Sequence, residues 1–351
     1  MRIFLDSSAL VQPGFDRGLG RYTQALIKAS TKPNGIPIEK ANSINRVTSK
    51  IEVNQESQIG LHVSPDRNDI YHSTSPANLP FLKKSKWVCS ILDLIPIDLK
   101  EYQRLGILTR ANYLNALRAD AILVLSSFTK LRLIEKYNVP PDKIWVHGLP
   151  LHANFNSNFD ARSNFKKKSS FIFSLVDMRV KDPRKRIHWI NQVFLKLNEC
   201  GISTVIAGRG IPKEYFPNSE IIENPSDKVL LELYLNASGF YYPSAYEGQG
   251  MPPIEALSQG CPVVAYNNTS IPEMLGNRAV ILEDRHPWQK SLLTEPLEPW
   301  EVAHVVEIFK QWVSMPKVEF DNFRTNLIRN STFITDESFS KFLNEIYESL
   351  Q

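Results

Sequence analysis

Glu247 and Glu255 stand eight positions apart around the stretch Glu247-Gly248-Gln249-Gly250-Met251-Pro252-Pro253. Carboxylates at that spacing, with glycines and prolines between them, could hold a ligand that is anionic at one point and rich in hydroxyls on either side. Gly248 and Gly250 let the backbone approach a ligand closely and turn where a Cβ would clash. Pro252 and Pro253 open a helix, where a missing N–H costs nothing. The amides from Gly248 to Met251 then lie at the positive end of the helix dipole and suit a diphosphate. Glu255, in the first turn of that helix, is kept ionised by the same dipole and can accept both hydroxyls of a vicinal diol such as ribose. Glu247, at the end of the preceding strand, would face the crevice where doubly wound sheets bind ligands and hold sugar hydroxyls. Taken singly, the glycines could serve only a turn and Glu255 only the helix start.

The elements that must position this loop are legible as two series of short aliphatic runs alternating with amphipathic stretches, the pattern of an α/β protein with parallel sheets. In the first series strands are expected at 2–5, 70–72, 87–91, 121–125 and 143–147, with helices near 21–29, 99–119 and 128–137. In the second they are expected at 170–175, 204–207, 239–242 and 262–265, with helices near 187–199, 228–236, 253–259 and 299–314. The polar, Asn-rich and basic stretch 152–169 separates the series and reads as a linker. Two domains are therefore expected, 1–160 and 161–335, with a final amphipathic helix within 336–351 packing back on the first.

The segment from Tyr242 to Glu273, which ends in Ser270-Ile271-Pro272-Glu273, resembles the E-x7-E signature of the family-4 (GT4) retaining glycosyltransferases. That resemblance implies a GT-B fold, two Rossmann-like domains with parallel sheets facing across a cleft. It also implies metal-independent transfer of a hexose from a GDP- or UDP-linked donor, with no further cofactor, and leans toward the mannosyltransferase-like enzymes of bacterial surface polysaccharide. Within it, Arg179 and Lys185 match the two cations that clamp the donor diphosphate, a means of stabilising a leaving diphosphate without a metal, and Arg184 adjoins them. With Glu247 they form the implied catalytic set. Gly18 and Gly20, in Asp16-Arg17-Gly18-Leu19-Gly20-Arg21-Tyr22, resemble the glycine turn of the first domain, whose amide meets the donor phosphate. Thr23 stands where a dinucleotide fingerprint would need a third glycine, which argues against a nicotinamide enzyme. Asn224 and Pro225 match the segment that cradles the nucleobase. Arg184, Gly248, Gln249, Gly250, Met251 and Glu255 complete the donor side, and a glycan or lipid-linked acceptor falls to the first domain.

The pattern breaks at one position. Relatives with this glycine turn carry a His before the Asp of an Asp-Leu-Ile-Pro segment, and here Leu92 precedes Asp93. Asp93 and the strand-end His72 are then the residues expected near the sugar or acceptor. Either the remaining groups suffice for transfer, or the chain is a non-catalytic subunit that binds or scaffolds an active partner. Attack from the front face, with the departing phosphate taking the acceptor proton, is what the family implies.

Bulk properties agree with a two-domain globular chain of 351 residues, 42% hydrophobic and 22% charged. No apolar run is long enough to span a bilayer, and Asp6 interrupts what would be the core of a signal peptide, so a cytoplasmic location is expected. Cys89, Cys200 and Cys261 are too scattered for a disulfide framework or zinc site and are expected to be buried thiols. Residues 1–165 hold 21 basic against 14 acidic side chains and the remainder 20 against 23. The basic half, densest at Lys83, Lys84 and Lys86, suits an anionic membrane surface or a lipid pyrophosphate. No nucleic-acid module accompanies it.

Overall fold

Each series builds its own parallel sheet. The computed structural model describes residues 2–6, 8–10, 18–30, 38–41, 66–155, 170–329 and 334–351. They divide into two units, Met1–Pro150 with Ile334–Gln351, and Leu151–Phe333. The division follows Pro150 because Leu151 and Phe155 are buried in the second unit, where Gln259 donates to the Phe155 carbonyl at 2.8 Å. The stretch expected to link the domains lies outside the described residues from 156 onward.

The first unit holds β1 (Ile3–Asp6), β2 (Ile38–Ala41), β3 (Ile70–Ser73), β4 (Lys86–Ser90), β5 (Ala121–Val124) and β6 (Ile144–Val146), paired in the order β2-β1-β3-β4-β5-β6. Its helices are α1 (Gly18–Ser30), the short α2 (Ile95–Asp98), α3 (Gly106–Ala116) and α4 (Ser127–Tyr137). The second unit pairs β7 (Phe171–Asp177), β8 (Ser203–Arg209), β9 (Glu220–Glu223), β10 (Gly239–Tyr242), β11 (Val263–Tyr266) and β12 (Val280–Leu282) in the order β12-β11-β10-β7-β8-β9. Helices α5 (Ile187–Glu199), α6 (Asp227–Asn236), α7 (Met251–Ser258), α8 (Ile271–Leu275), α9 (Pro299–Ser314) and α10 (Lys317–Arg329) accompany it, and α11 (Asp336–Ser349) belongs to the first unit. All strand pairs are parallel, and neighbours along β7 feed opposite faces: Ile172 joins a core with Trp189 and Phe309, Phe173 one with Tyr234 and Phe240.

The strands that the periodicity does not announce are β2, β9 and β12, all at sheet edges. Edge strands tolerate charged residues, and Ile-Glu-Lys-Ala at 38–41 and Glu-Ile-Ile-Glu at 220–223 therefore lack the continuous apolar run of a central strand, while β12, Val-Ile-Leu, is only three residues long. One cysteine departs from expectation: Cys89 and Cys261 are buried, but Cys200 is exposed, because it follows the last residue of α5 where the chain leaves the helix.

Helix α11 docks on the first unit through specific polar contacts as well as an apolar face. Ser340 donates to the Ala29 carbonyl at 2.9 Å, Lys28 pairs with Asp336 at 2.7 Å, and Lys86 donates to the Leu350 carbonyl. His147 stacks on Phe342 with ring centroids 4.6 Å apart. At the centre lies His72, wholly buried on β3, with Nδ1 2.7 Å from the Tyr347 hydroxyl and Nε2 2.8 Å from Ser90 Oγ, which in turn bonds Tyr22 at 2.6 Å. Both nitrogens are occupied inside the core, which corrects the expectation that His72 lies near sugar or acceptor.

Burial holds the His72 imidazole neutral, down from an ordinary 6.5 to about 3. The unfolded chain therefore binds a proton that the folded one does not between those values, and stability falls as pH drops below 6.5, by up to about 1.4 kcal/mol per pH step. Urea unfolding of wild type between about pH 7 and pH 5 should show this loss, and His72→Gln should show a flatter profile. Parallel profiles would assign the acid sensitivity elsewhere.

Candidate functional site

In the second unit β7 is the first strand; β8 and β9 extend to one side of it and β10 to β12 to the other. The order reverses between β7 and β10, and in open α/β sheets ligands bind outside the carboxyl ends of the strands at such a point. The loops leaving these two strands, 178–186 and 243–250, are those that carry the candidate residues. They are joined by their backbones, the Ala245 amide donating to the Arg184 carbonyl at 2.7 Å.

Glu247 is the hub. Its Oε1 accepts from Arg184 Nη1 at 2.9 Å, Lys185 Nζ at 2.5 Å, and the hydroxyls of Tyr242 and Ser244 at 2.7 Å each. Lys185 also donates to the Tyr242 hydroxyl at 3.1 Å and lies over its ring. Burial would raise the Glu247 carboxyl, but Lys185 and Arg184 outweigh it and hold the group at about 2. Burial, with Arg184 adjacent, pushes the Lys185 ammonium down from 10.5. The Glu247 backbone is fixed from the other side by the Ser-Ile-Pro-Glu region: its amide donates to Thr269 Oγ1 and its carbonyl accepts from Ser270 Oγ, both at 3.0 Å. A carboxylate so held on one oxygen cannot swing, and its other oxygen keeps a fixed aim.

Gly248, Gln249 and Gly250 are buried and lead into α7. That helix begins at Met251, so Pro252 and Pro253 fall inside its first turn, where their missing N–H groups have no intrahelical acceptor. Its N-cap is Gly250, with φ +78° and no side chain to cap the first amides. A Cβ there would lie 2.8 Å from Ile271 Cδ1. Gly250→Ala is therefore expected to destabilise the fold by more than about 1 kcal/mol and to weaken ligand binding at the helix start. Unchanged melting and binding in that variant would show that the turn can relax.

Glu255 is corrected by one turn. It is the fifth residue of α7, buried, with Tyr234 of α6 donating to Oε2 at 3.4 Å. Arg179 is half-exposed and makes a two-point ion pair with Asp177, at 3.0 and 2.9 Å, where its stem crosses Gly210. Of the three cations it is thus Arg184 and Lys185 that are brought onto Glu247. Asn224 adopts a left-handed φ of +50° and donates its amide to the Gly208 carbonyl at 2.7 Å, just before Pro225 and the start of α6. In the first unit Gly18 and Gly20 form the opening turn of α1, while Asp16 and Arg17 lie outside the described residues. Asp93 Oδ1 accepts the Ile95 amide at 3.0 Å and so starts α2, beside Leu92.

Several participants carry no motif of their own. Tyr242 and Ser244 precede Glu247 by five and three positions and supply two of the four hydrogen bonds to its Oε1. Arg186, wholly buried with φ +48°, makes a two-point ion pair with Asp284 at 2.9 and 3.1 Å and stacks over Trp189, which fixes the turn that aims Arg184 and Lys185. Asn268 donates to the same Asp284 at 3.0 Å, one residue before Thr269. In the first unit Asp6 ends β1, buried, and accepts from Thr74 at 2.9 Å and Asn78 at 2.5 Å, at the point where that sheet too reverses its order. Among the described residues no cluster of metal-ligating side chains occurs.

Residues 182–290, which include Arg184, Lys185, Glu247 and Glu255, match the family described as glycosyl transferases group 1. The serotype-specific mannosyltransferase WbdA of Escherichia coli is 26% identical over 300 residues, covering 75% of this chain and 36% of its own length. The O-antigen chain mannosyltransferase B of Escherichia coli is 27% identical over 184 residues, 47% of this chain and 48% of that protein. The chain thus spans about a third to a half of the length of these relatives. In fold it is similar to WaaG, a glycosyltransferase involved in lipopolysaccharide biosynthesis, with a TM-score of 0.63 at 11% identity over 99% of both chains.

Proposed function

We propose that this chain, which carries a glycosyl transferases group 1 domain on a GT-B fold, is a metal-independent retaining hexosyltransferase. The donor is a nucleotide-diphosphate sugar, GDP- or UDP-linked, with mannose the first sugar to test. The acceptor is a glycan or a lipid-linked glycan of the cell surface. The observation that carries the reading is the meeting of Lys185, Arg184 and Glu247 beside the uncapped start of α7, at the switch point of the second sheet.

In this reading the second unit takes the donor. Its diphosphate meets the α7 amides and Lys185, with Arg179 exchanging Asp177 for a phosphate oxygen. Charge that develops on the leaving diphosphate is met by donors already in place, which is where fixed electrostatics lower a barrier most. The free oxygen of Glu247 takes a sugar hydroxyl and Glu255 a ribose hydroxyl. The similarity to mannosyltransferases supports mannose, and the acceptor falls to the first unit, where Leu92 removes the imidazole of relatives. Incubation with GDP-mannose and an undecaprenyl- or glycan-linked acceptor, followed by NMR of the product anomeric proton, should give an α-linked product from the α-linked donor. A β-linked product would overturn retention, and donor binding without turnover on any acceptor would favour a binding subunit.

A further inference from the structure

The first unit presents a surface that its own packing does not explain. The loop 80–84, between β3 and β4, exposes Phe81 at 50% and Leu82 at 74%, followed directly by exposed Lys83 and Lys84. Beside it, α3 turns Ile107 (86% exposed), Arg110 and Leu114 (56%) outward at positions i, i+3 and i+7, with Arg118 one turn further on. The loop and helix form one surface: Arg118 donates to the Phe81 carbonyl at 3.0 Å, Lys83 to the Arg118 carbonyl at 2.9 Å, and Asn115 to the Pro80 carbonyl at 3.0 Å. Large apolar side chains clustered in this way on a folded surface mark a contact with another phase or molecule.

The charge identifies which. The cations alternate with the apolar residues, and one acidic group beside them, Asp120, is already paired with Lys83 at 2.8 Å. The cores of protein interfaces are depleted in lysine, whereas an interfacial membrane site combines apolar side chains with lysines and arginines whose long stems lie along the apolar surface while their heads reach phosphates. No described helix is long and apolar enough to cross a membrane. We propose that the loop 80–84 and the outer face of α3 rest on an anionic phospholipid bilayer, with Leu82 and Ile107 entering the headgroup region and Lys84, Arg110 and Arg118 facing lipid phosphates. This stands apart from the sugar-transfer reading and is tested without it.

The test is sedimentation of the full chain with vesicles of pure phosphatidylcholine and vesicles of equal parts phosphatidylcholine and phosphatidylglycerol. Wild type should bind the anionic vesicles, with added salt releasing it. Leu82→Asp with Ile107→Asp should lower that partition at least about tenfold and Lys84→Glu about fivefold or more, all with unchanged melting because the side chains are exposed. Failure of wild type to bind, equal binding of wild type and the Leu82→Asp/Ile107→Asp variant, or a wild-type dimer in vesicle-free solution that this variant dissociates would overturn the proposal, the last assigning the face to a second copy of the chain.

Discussion

Lys185→Ala is expected to lower the rate constant for sugar transfer by about 10²- to 10³-fold, the cost of removing one fixed donor to developing negative charge. The ammonium is shared between Glu247 and Tyr242 in a partly buried setting, so no flexible surface lysine can replace it. The substitution should also release Glu247 partly from its low pKa, since Lys185 is the foremost opposing charge. Arg184, Tyr242 and Ser244 remain on Oε1 and keep the loop in place. Steady-state kinetics with saturating donor measures the effect, and a melting curve close to wild type separates it from unfolding. Turnover and donor affinity both equal to wild type would remove Lys185 from the diphosphate site.

Arg186→Met is expected to destabilise the second unit by about 3–5 kcal/mol, or lower its melting point by roughly 10 °C. It leaves Asp284 buried with its charge uncompensated, although Asn268 and the His286 amide still donate to it. It also frees a non-glycine residue from a left-handed turn that the ion pair holds. Adding Asp284→Asn should recover much of the loss, because a neutral amide costs far less to bury than an unpaired carboxylate. Additive losses in the double variant, measured by urea unfolding, would show that the two residues act separately.

The local arrangement around Glu247 was legible because it is contiguous in sequence. Glu247, its glycines and the helix start follow one another in ten residues, and strand, loop and helix rules apply to each in turn. The choice among Arg179, Arg184 and Lys185 was not, because it depends on a bond between loops sixty residues apart, the Ala245 amide on the Arg184 carbonyl. Glu255 shifted by a turn because prolines mark a helix start without fixing whether the helix begins on them or, as here, one residue before them. His72 misled for a related reason: a strand-end histidine reads the same whether it faces a ligand or a helix that returns from the far end of the chain, and only the docking of α11 distinguishes them. Arg186 and Asp284 carry no sequence signal at all, since ninety-eight positions separate them.

The central claim is that the second unit binds a nucleoside diphosphate at Lys185 and the start of α7. Calorimetric titration of GDP and UDP into wild type and Lys185→Ala tests it most directly. One saturable site on wild type, for at least one of the two nucleotides, weakened at least about tenfold in the variant, is the predicted result. Neither nucleotide binding, or equal affinity in both proteins, would contradict it.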